Sequence, residues 1–257
     1  MFSILALKNN LIMINKFKIL YFMEELMKKT TLSICFIFIF SFLAFSFTYN
    51  TADEIKEDLK KYGNDPIVYT NAGIFYFLKA TEQQKGSKQK EFLNAAMEYL
   101  EDALDSDENY NKAKSYLGSV YGMLCGTTDN LPDILKYSNK SIAYHDDAVA
   151  NDSYNIEFRL NRIRTYIYFP PEHYKKINKI LSDDLTFVLN YLEKDVSLRD
   201  NDYYYKTTRA DMYYHYGVVL KRMGEKDKAK VNFNKSNELI NKYSLKPFYI
   251  NELKKEL

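Results

Sequence analysis

Three arginines, three histidines, one mid-chain cysteine and two adjacent acid pairs are the side chains whose types and spacing invite a chemical reading. Arg159 and Arg162 lie three residues apart, so on a helix they share a face and can clamp a carboxylate or a phosphate, with Arg164 close by. The same arginines can instead pair internally with acids such as Glu157 or those of the neighbouring turns, and the spacing leaves both alternatives open. His145, His173 and His215 are far apart in the chain, and neither an H-E-x-x-H pattern nor a paired-cysteine spacing accompanies them. His145-Asp146-Asp147 holds metal-capable atoms, but on a helix it reads more simply as partly exposed surface. Cys125 has no histidine near it in sequence and reads as an ordinary buried or loop thiol. Glu101-Asp102 and Asp183-Asp184 are adjacent, so on a helix they point about 100° apart and do not face each other across a substrate. They read as solvated helix surface. Phosphate-cradling glycine patterns are missing from the sequence. No catalytic, cofactor-binding or metal-binding constellation emerges, and a non-enzymatic role is expected.

The elements that must position these residues come from the wider pattern. The 257 residues include 36 Lys plus Arg and 34 Asp plus Glu, a formal charge of +2, which argues against a dedicated nucleic-acid binder. Only 8 Gly and 5 Pro make a turn-rich β protein improbable. Long charged-apolar periodic stretches point to an all-α chain. Its breaks fall at Gly63-Asn64-Asp65-Pro66, Lys85-Gly86-Ser87, Asp105 to Asn109, Gly126 to Pro132, Asn151-Asp152-Ser153, Phe169-Pro170-Pro171, Gly224-Glu225 and Lys246-Pro247.

Hydrophobicity is concentrated at the start. Residues 27–46 combine Lys28 and Lys29, an apolar run from Leu32 to Leu43, and the small residues Ala44 and Ser46, the pattern of an export signal. The run is short of the roughly 20 residues a membrane span needs. An uncleaved N-terminal anchor is the rival, and only through it would the protein touch a membrane. Cys35 sits inside the apolar run, which excludes it as a lipidation site. Residues 1–26 are expected to be an upstream extension from a misplaced start, with an amphipathic membrane-surface helix as the alternative. Residues 1–46 hold five Lys and two Glu, which leaves 31 basic against 32 acidic residues in 47–257. The domain expected over 47–257 is thus near neutral, with Cys125 its lone thiol.

Within 47–257, Tyr213, Gly217, Leu220, Gly224, Ala229, Phe233 and Ser236 alternate aromatic, small and large apolar residues at intervals suited to two antiparallel helices in close contact. Gly217 and Ala229 permit the approach, and the larger side chains fill around it. This resembles the tetratricopeptide repeat (TPR). A weaker copy lies at Leu117-Gly118-Ser119-Val120-Tyr121, preceded by Ala96, Leu100 and Ala103; Tyr69 to Tyr76 supplies a further first helix, with residues 81–90 as an insertion. A third unit near 155 has Ile163 where the family has glycine, so wider packing is expected there. The resemblance implies an irregular TPR-like α-solenoid of about four helix pairs, starting near 66, 110, 155 and 210, with terminal capping helices over about 51–62 and 247–256.

The resemblance also implies a protein or peptide partner along the concave face, lined by the first helix of each pair. Carried over position by position, that face contains Thr70, Ile74 and Phe77, then Lys112, Ser115 and Ser119, then Glu157, Leu160 and Arg164, then Asp211, Tyr214, Val218 and Lys221. Arg159 joins them as a possible anion contact. The expectation is an exported, periplasmic or envelope-associated bacterial interaction module without a cofactor or nucleic acid. The alternative is a small-molecule-binding accessory protein of a solute transporter, with a pocket near the arginines or near Met123 and Cys125.

Overall fold

The computed structural model describes residues 49–169, 173–194 and 196–257. The expected extension (1–26) and export signal (27–46) lie outside the described residues.

The described chain is helical, without strands. Helix α1 (Ala52–Tyr62) precedes four helix pairs, of which the third is looser than the other three. The Thr51 hydroxyl caps α1 by accepting from the Glu54 N–H at 3.3 Å. The turn after it works as its sequence suggests. Asn64 takes a left-handed φ of 76°, Asp65 caps the next helix through the Ile67 N–H at 2.8 Å, and Pro66 occupies the first turn. Helices α2 (Pro66–Thr81) and α3 (Ser87–Ser106) form the first pair, and α4 (Asn111–Cys125) and α5 (Leu131–Asn151) the second. Helices α6 (Ile156–Tyr166) and α7 (Tyr174–Lys194) form the third. A short α8 (Val196–Asn201) leads into α9 (Tyr203–Arg222), which pairs with α10 (Lys226–Tyr243). The chain ends on α11 (Ile250–Lys254).

Three of the pairs close on a glycine. A Cβ on Gly73 would lie 2.5 Å from Leu100, on Gly118 2.7 Å from the His145 ring, and on Gly217 2.5 Å from the Phe233 ring. One first-helix residue without a side chain thus admits one large side chain from the second helix. Small residues one turn before and one after that side chain keep the backbones close: Ala96 and Ala103, Ser141 and Ala148, Ala229 and Ser236. The two serines also satisfy first-helix carbonyls, Ser141 Oγ donating to Gly118 O at 2.7 Å and Ser236 Oγ to Ala210 O at 2.8 Å.

The third pair follows a different rule, as its missing glycine implies. Ile163 is fully buried, and α7 presents Leu181, Leu185 and Val188, bulky aliphatics at the spacing that elsewhere carries a small–large–small set. Volume in this core comes from both helices, which replaces close backbone approach with side-chain packing.

The long repeat intervals are absorbed by helix length, α3 having 20 residues and α5 and α7 having 21 each, and by the extra helix α8. Helix α9 begins at Tyr203, ahead of the start expected near 210. Tyr203 and Tyr204 are exposed on its first turn, and Tyr205 is half-buried.

Candidate functional site

Of the two alternatives open to Arg159 and Arg162, the structure takes internal pairing. Arg162 of α6 donates from Nε to Asp184 Oδ2 at 2.8 Å and from Nη2 to Asp184 Oδ1 at 2.9 Å, while its Nη1 reaches Asp146 Oδ1 at 3.0 Å. Arg159 also pairs with Asp184, donates to the Ser153 carbonyl at 2.9 Å, and lies over the Phe187 ring. Tyr166 donates to Asp146 at 2.9 Å. The site therefore joins α5, α6 and α7, and Arg159 is committed to that joint rather than offered to a partner. Asp183 is exposed and Asp184 fully buried, so the adjacent acids do diverge, but Asp184 is not solvated surface.

His145 also departs from expectation. It is fully buried beneath Gly118, with Nε2 3.0 Å from Thr165 Oγ1, and occupies the place that Phe233 holds in the last pair. Burial, reinforced by the nearby Arg162 charge, holds its imidazole down at about 3. Cys125 is half-buried at the end of α4, where burial raises its thiol to about 11 and Sγ donates to the Tyr121 carbonyl at 3.3 Å. Such a thiol is protonated at neutral pH and a poor nucleophile. Among the described residues, no three His, Cys, Asp or Glu side chains cluster closely enough to hold a metal ion.

The first-helix face divides by accessibility. Thr70 and Ser115 are fully buried and Ser119 nearly so, with Ser115 Oγ accepting from Asn161 at 3.1 Å. These three positions point into the stack, because small polar side chains there let neighbouring first helices approach. They are withdrawn as partner contacts. Phe77 is half-buried and meets Tyr116 edge-on at 6.0 Å. Tyr116 donates to Glu157 at 2.8 Å, which ties α4 to α6 on the same face. Lys112 is half-buried and Arg164 exposed, and neither has an ion-pair partner among the described residues. Lys221 is exposed but engaged with Glu256 at 2.7 Å.

Beyond Arg164 the face opens into a cleft of about 310 Å³. Ile167 and Tyr168 beyond the end of α6 form one side, Tyr214, His215, Val218 and Arg222 of α9 the floor, and Phe248, Tyr249 and Glu252 the far wall. The cleft's shape depends on one aromatic contact: the Tyr249 ring stacks on Tyr214 at 4.0 Å, and its hydroxyl donates to Asp211 at 2.8 Å. Burial raises the Asp211 carboxyl, opposed by that hydrogen bond and by the Arg164 charge. His215 is held down at about 3 by burial and by the charges of Arg164 and Arg222, so it is neutral here. Of the sequence-derived positions, Tyr214 lines the cleft, Asp211 fixes its far wall and Arg164 is near enough for its charge to act on both Asp211 and His215. Arg222 and Tyr168 were not singled out in the sequence. Each lies one residue past a position assigned to this face or to its register, a place a strict repeat reading skips.

No family model matches the chain, and no curated protein matches it. Among solved structures, it is similar to the crystal structure of a thermophilic TPR protein from Thermus thermophilus, at 15% identity and a TM-score of 0.51, over 73% of this chain and 80% of that one. The fold is therefore TPR-like, an all-α solenoid of helix pairs.

Proposed function

We propose that the chain is an exported, non-enzymatic interaction module that binds a protein or peptide partner along the face formed by α2, α4, α6 and α9. The carrying observation is the contrast between the charges of the third pair and those of this face. Arg159, Arg162, Asp146 and Asp184 are spent on one another, whereas Lys112 and Arg164 have no ion-pair partner among the described residues, and the Arg164 charge reaches Tyr116, which meets Phe77 on the same face. Unpaired cations interleaved with partly exposed aromatics suit an extended partner, since aromatic and Arg anchors supply most of the energy of such contacts. A TPR-like stack holds the surface preformed, so little ordering entropy is lost on binding.

Export to the periplasm or envelope rests on the residue pattern of 27–46. Fractionation with sequencing of the mature N-terminus tests it, and a cytoplasmic product that begins at Met1 would overturn it. The partner face is tested by photo-crosslinking in cells from Lys112 and Arg164, with exposed Glu98 of α3 as control. A discrete adduct from the first two positions and none from Glu98 is expected. Equal labelling at all three would sink the assignment. The small-molecule alternative gains support from the cleft at α9 and α11 rather than from the Arg159–Arg162 cluster, whose donors are consumed.

A further inference from the structure

We infer that the cleft between α6, α9 and α11 binds a monocarboxylate carried on a planar or apolar body, with the carboxylate against Arg222. The inference rests on the partner-face reading and gives the far end of that face its own ligand chemistry.

Arg222 is held in place but not neutralised. Its guanidinium lies over the Tyr174 ring, 4.2 Å from the centroid, and Nη2 donates to the Ile167 carbonyl at 2.8 Å. Its Nη1 is buried without an acceptor, and no carboxylate among the described residues forms an ion pair with it. A partly buried guanidinium without a counterion is costly, and burial pulls its pKa down from the ordinary arginine value. Beside it, His215 is 6% exposed and its Nδ1 also lacks a partner. Arg164, the other cation whose charge acts on His215, has no ion-pair partner among the described residues either. Arg222, a cation without an acidic partner among the described residues, thus lines the opening beside the buried His215, and the Arg164 charge reaches the same histidine. The other internal arginines, Arg159, Arg162 and Arg209, all meet acids.

The remaining walls define the rest of the ligand. Tyr214 and Tyr249 are stacked against each other, while Tyr168 and Phe248 are 67% and 78% exposed at the mouth. They offer faces and edges to a flat or apolar body, and about 310 Å³ lies at the small end of ligand sites. Glu252 also borders the cleft and repels a second negative charge, so a mono-acid is favoured over a di-acid. A free small acid and the last residue of a peptide present the same group.

The test is calorimetric titration of the protein with 3-phenylpropionate, 3-phenylpropionamide, phenylsuccinate and the tripeptide Gly-Gly-Phe. The mono-acid is expected to bind about tenfold tighter than its amide and tighter than the di-acid. Arg222→Gln removes the acid–amide difference, whereas Phe248→Ala weakens both probes alike. Equal binding of acid and amide by the unaltered protein overturns the inference, and so does an acid preference that survives Arg222→Gln. The first comparison needs no variant, so a fold weakened by loss of the Ile167 contact does not spoil it. Tighter binding of the tripeptide than of phenylpropionate assigns the group to a peptide terminus, and the reverse order to a free acid. If Lys112 cross-links persist while acid preference is absent, this inference alone fails. If acid preference persists without those cross-links, the extended partner face alone fails.

Discussion

Asp184 of α7 has no solvent exposure, and Arg162 of α6 grips it through two parallel hydrogen bonds while Arg159 pairs with the same carboxylate. The bond from Arg162 to Asp146 extends this brace to α5. The third helix pair, which has no glycine crossing, is thereby fixed to the second by charge.

Removal of Asp184 leaves Arg159 without its acid and Arg162 with only Asp146, both facing a buried space. Asp184→Ala is expected to cost about 3–5 kcal/mol, the range for breaking a buried pair from one side. Replacing all three partners together, Arg159→Met and Arg162→Met with Asp184→Leu, is expected to cost less than Asp184→Ala alone, because no guanidinium is left without Asp184 and apolar volume is kept. Urea denaturation followed by circular dichroism measures both.

Gly217 is at the crossing of α9 and α10, where a Cβ would stand 2.5 Å from Phe233. In an exposed helix, Gly→Ala gains about 1 kcal/mol of propensity. Here the overpacking cost of about 1–3 kcal/mol opposes it. Gly217→Ala is therefore expected to destabilise by roughly 1 kcal/mol, and Phe233→Leu in the same chain is expected to recover part of that. A double-mutant cycle reads the coupling directly; additive effects would mean that the two residues do not meet.

Much of this architecture is legible in the sequence because the crossing has a signature: glycine on one helix, then small, large and small residues at i, i+4 and i+7 on the next. Ala229, Phe233 and Ser236 carry it after Gly217, and Ala96, Leu100 and Ala103 carry it after Gly73. Ser141, His145 and Ala148 carry it too, but a polar residue at the large position hides it. His145 follows Gly118 by 27 residues, as Leu100 follows Gly73, against 16 from Gly217 to Phe233. The additional residues lengthen the end of the first helix, the loop and the start of the second helix, so the crossing is kept while the family's interval is broken. The cleft was less legible. Its far wall is the turn into α11 and α11 itself, outside any repeat, and the placing of Phe248 and Tyr249 across the cleft from Tyr168 is a long-range arrangement with no local pattern. The fate of Arg159 was equally hidden, since whether an arginine meets Asp184 or a ligand depends on the packing of α7.

Buried histidines make the fold acid-sensitive at a particular range. His145 and His215 are both held at about 3 in the folded protein, below the ordinary value of 6.5. The unfolded chain binds the protons first, so their contribution is complete above pH 6.5 and is lost as pH falls from 6.5 toward 3. Across the middle of that window, each histidine adds a slope of about 1.4 kcal/mol per pH unit. Asp211, whose folded carboxyl is raised, contributes with the opposite sign. His145→Phe places at the second crossing the residue type that the last pair uses, and is expected to flatten the profile between pH 6 and 4 while retaining helicity. An unchanged slope in urea titrations across that range would show that His145 does not carry the effect.

Docking of α11 depends on Tyr249, which is 2% exposed, stacked on Tyr214 and hydrogen-bonded to Asp211. Its other attachments are Leu253, which is fully buried, and the surface pair Lys221–Glu256, a kind of contact generally worth 0–1 kcal/mol. Tyr249→Phe keeps the ring but removes the donor to a carboxylate in a partly buried site, at an expected cost of about 1.5–3 kcal/mol. Tyr249→Ala removes the stack as well, at about 3–5 kcal/mol by the usual range for large aromatics. A five-residue helix has little stability of its own, so these losses are expected as local release of α11 rather than global unfolding. Amide hydrogen exchange distinguishes the two: residues 250–256 should exchange faster in Tyr249→Ala while α2 to α5 keep their protection. The same release opens the far wall of the cleft, so the acid–amide difference should shrink in step with lost protection of α11. Faster exchange spread evenly along the chain would instead make Tyr249 part of the global core.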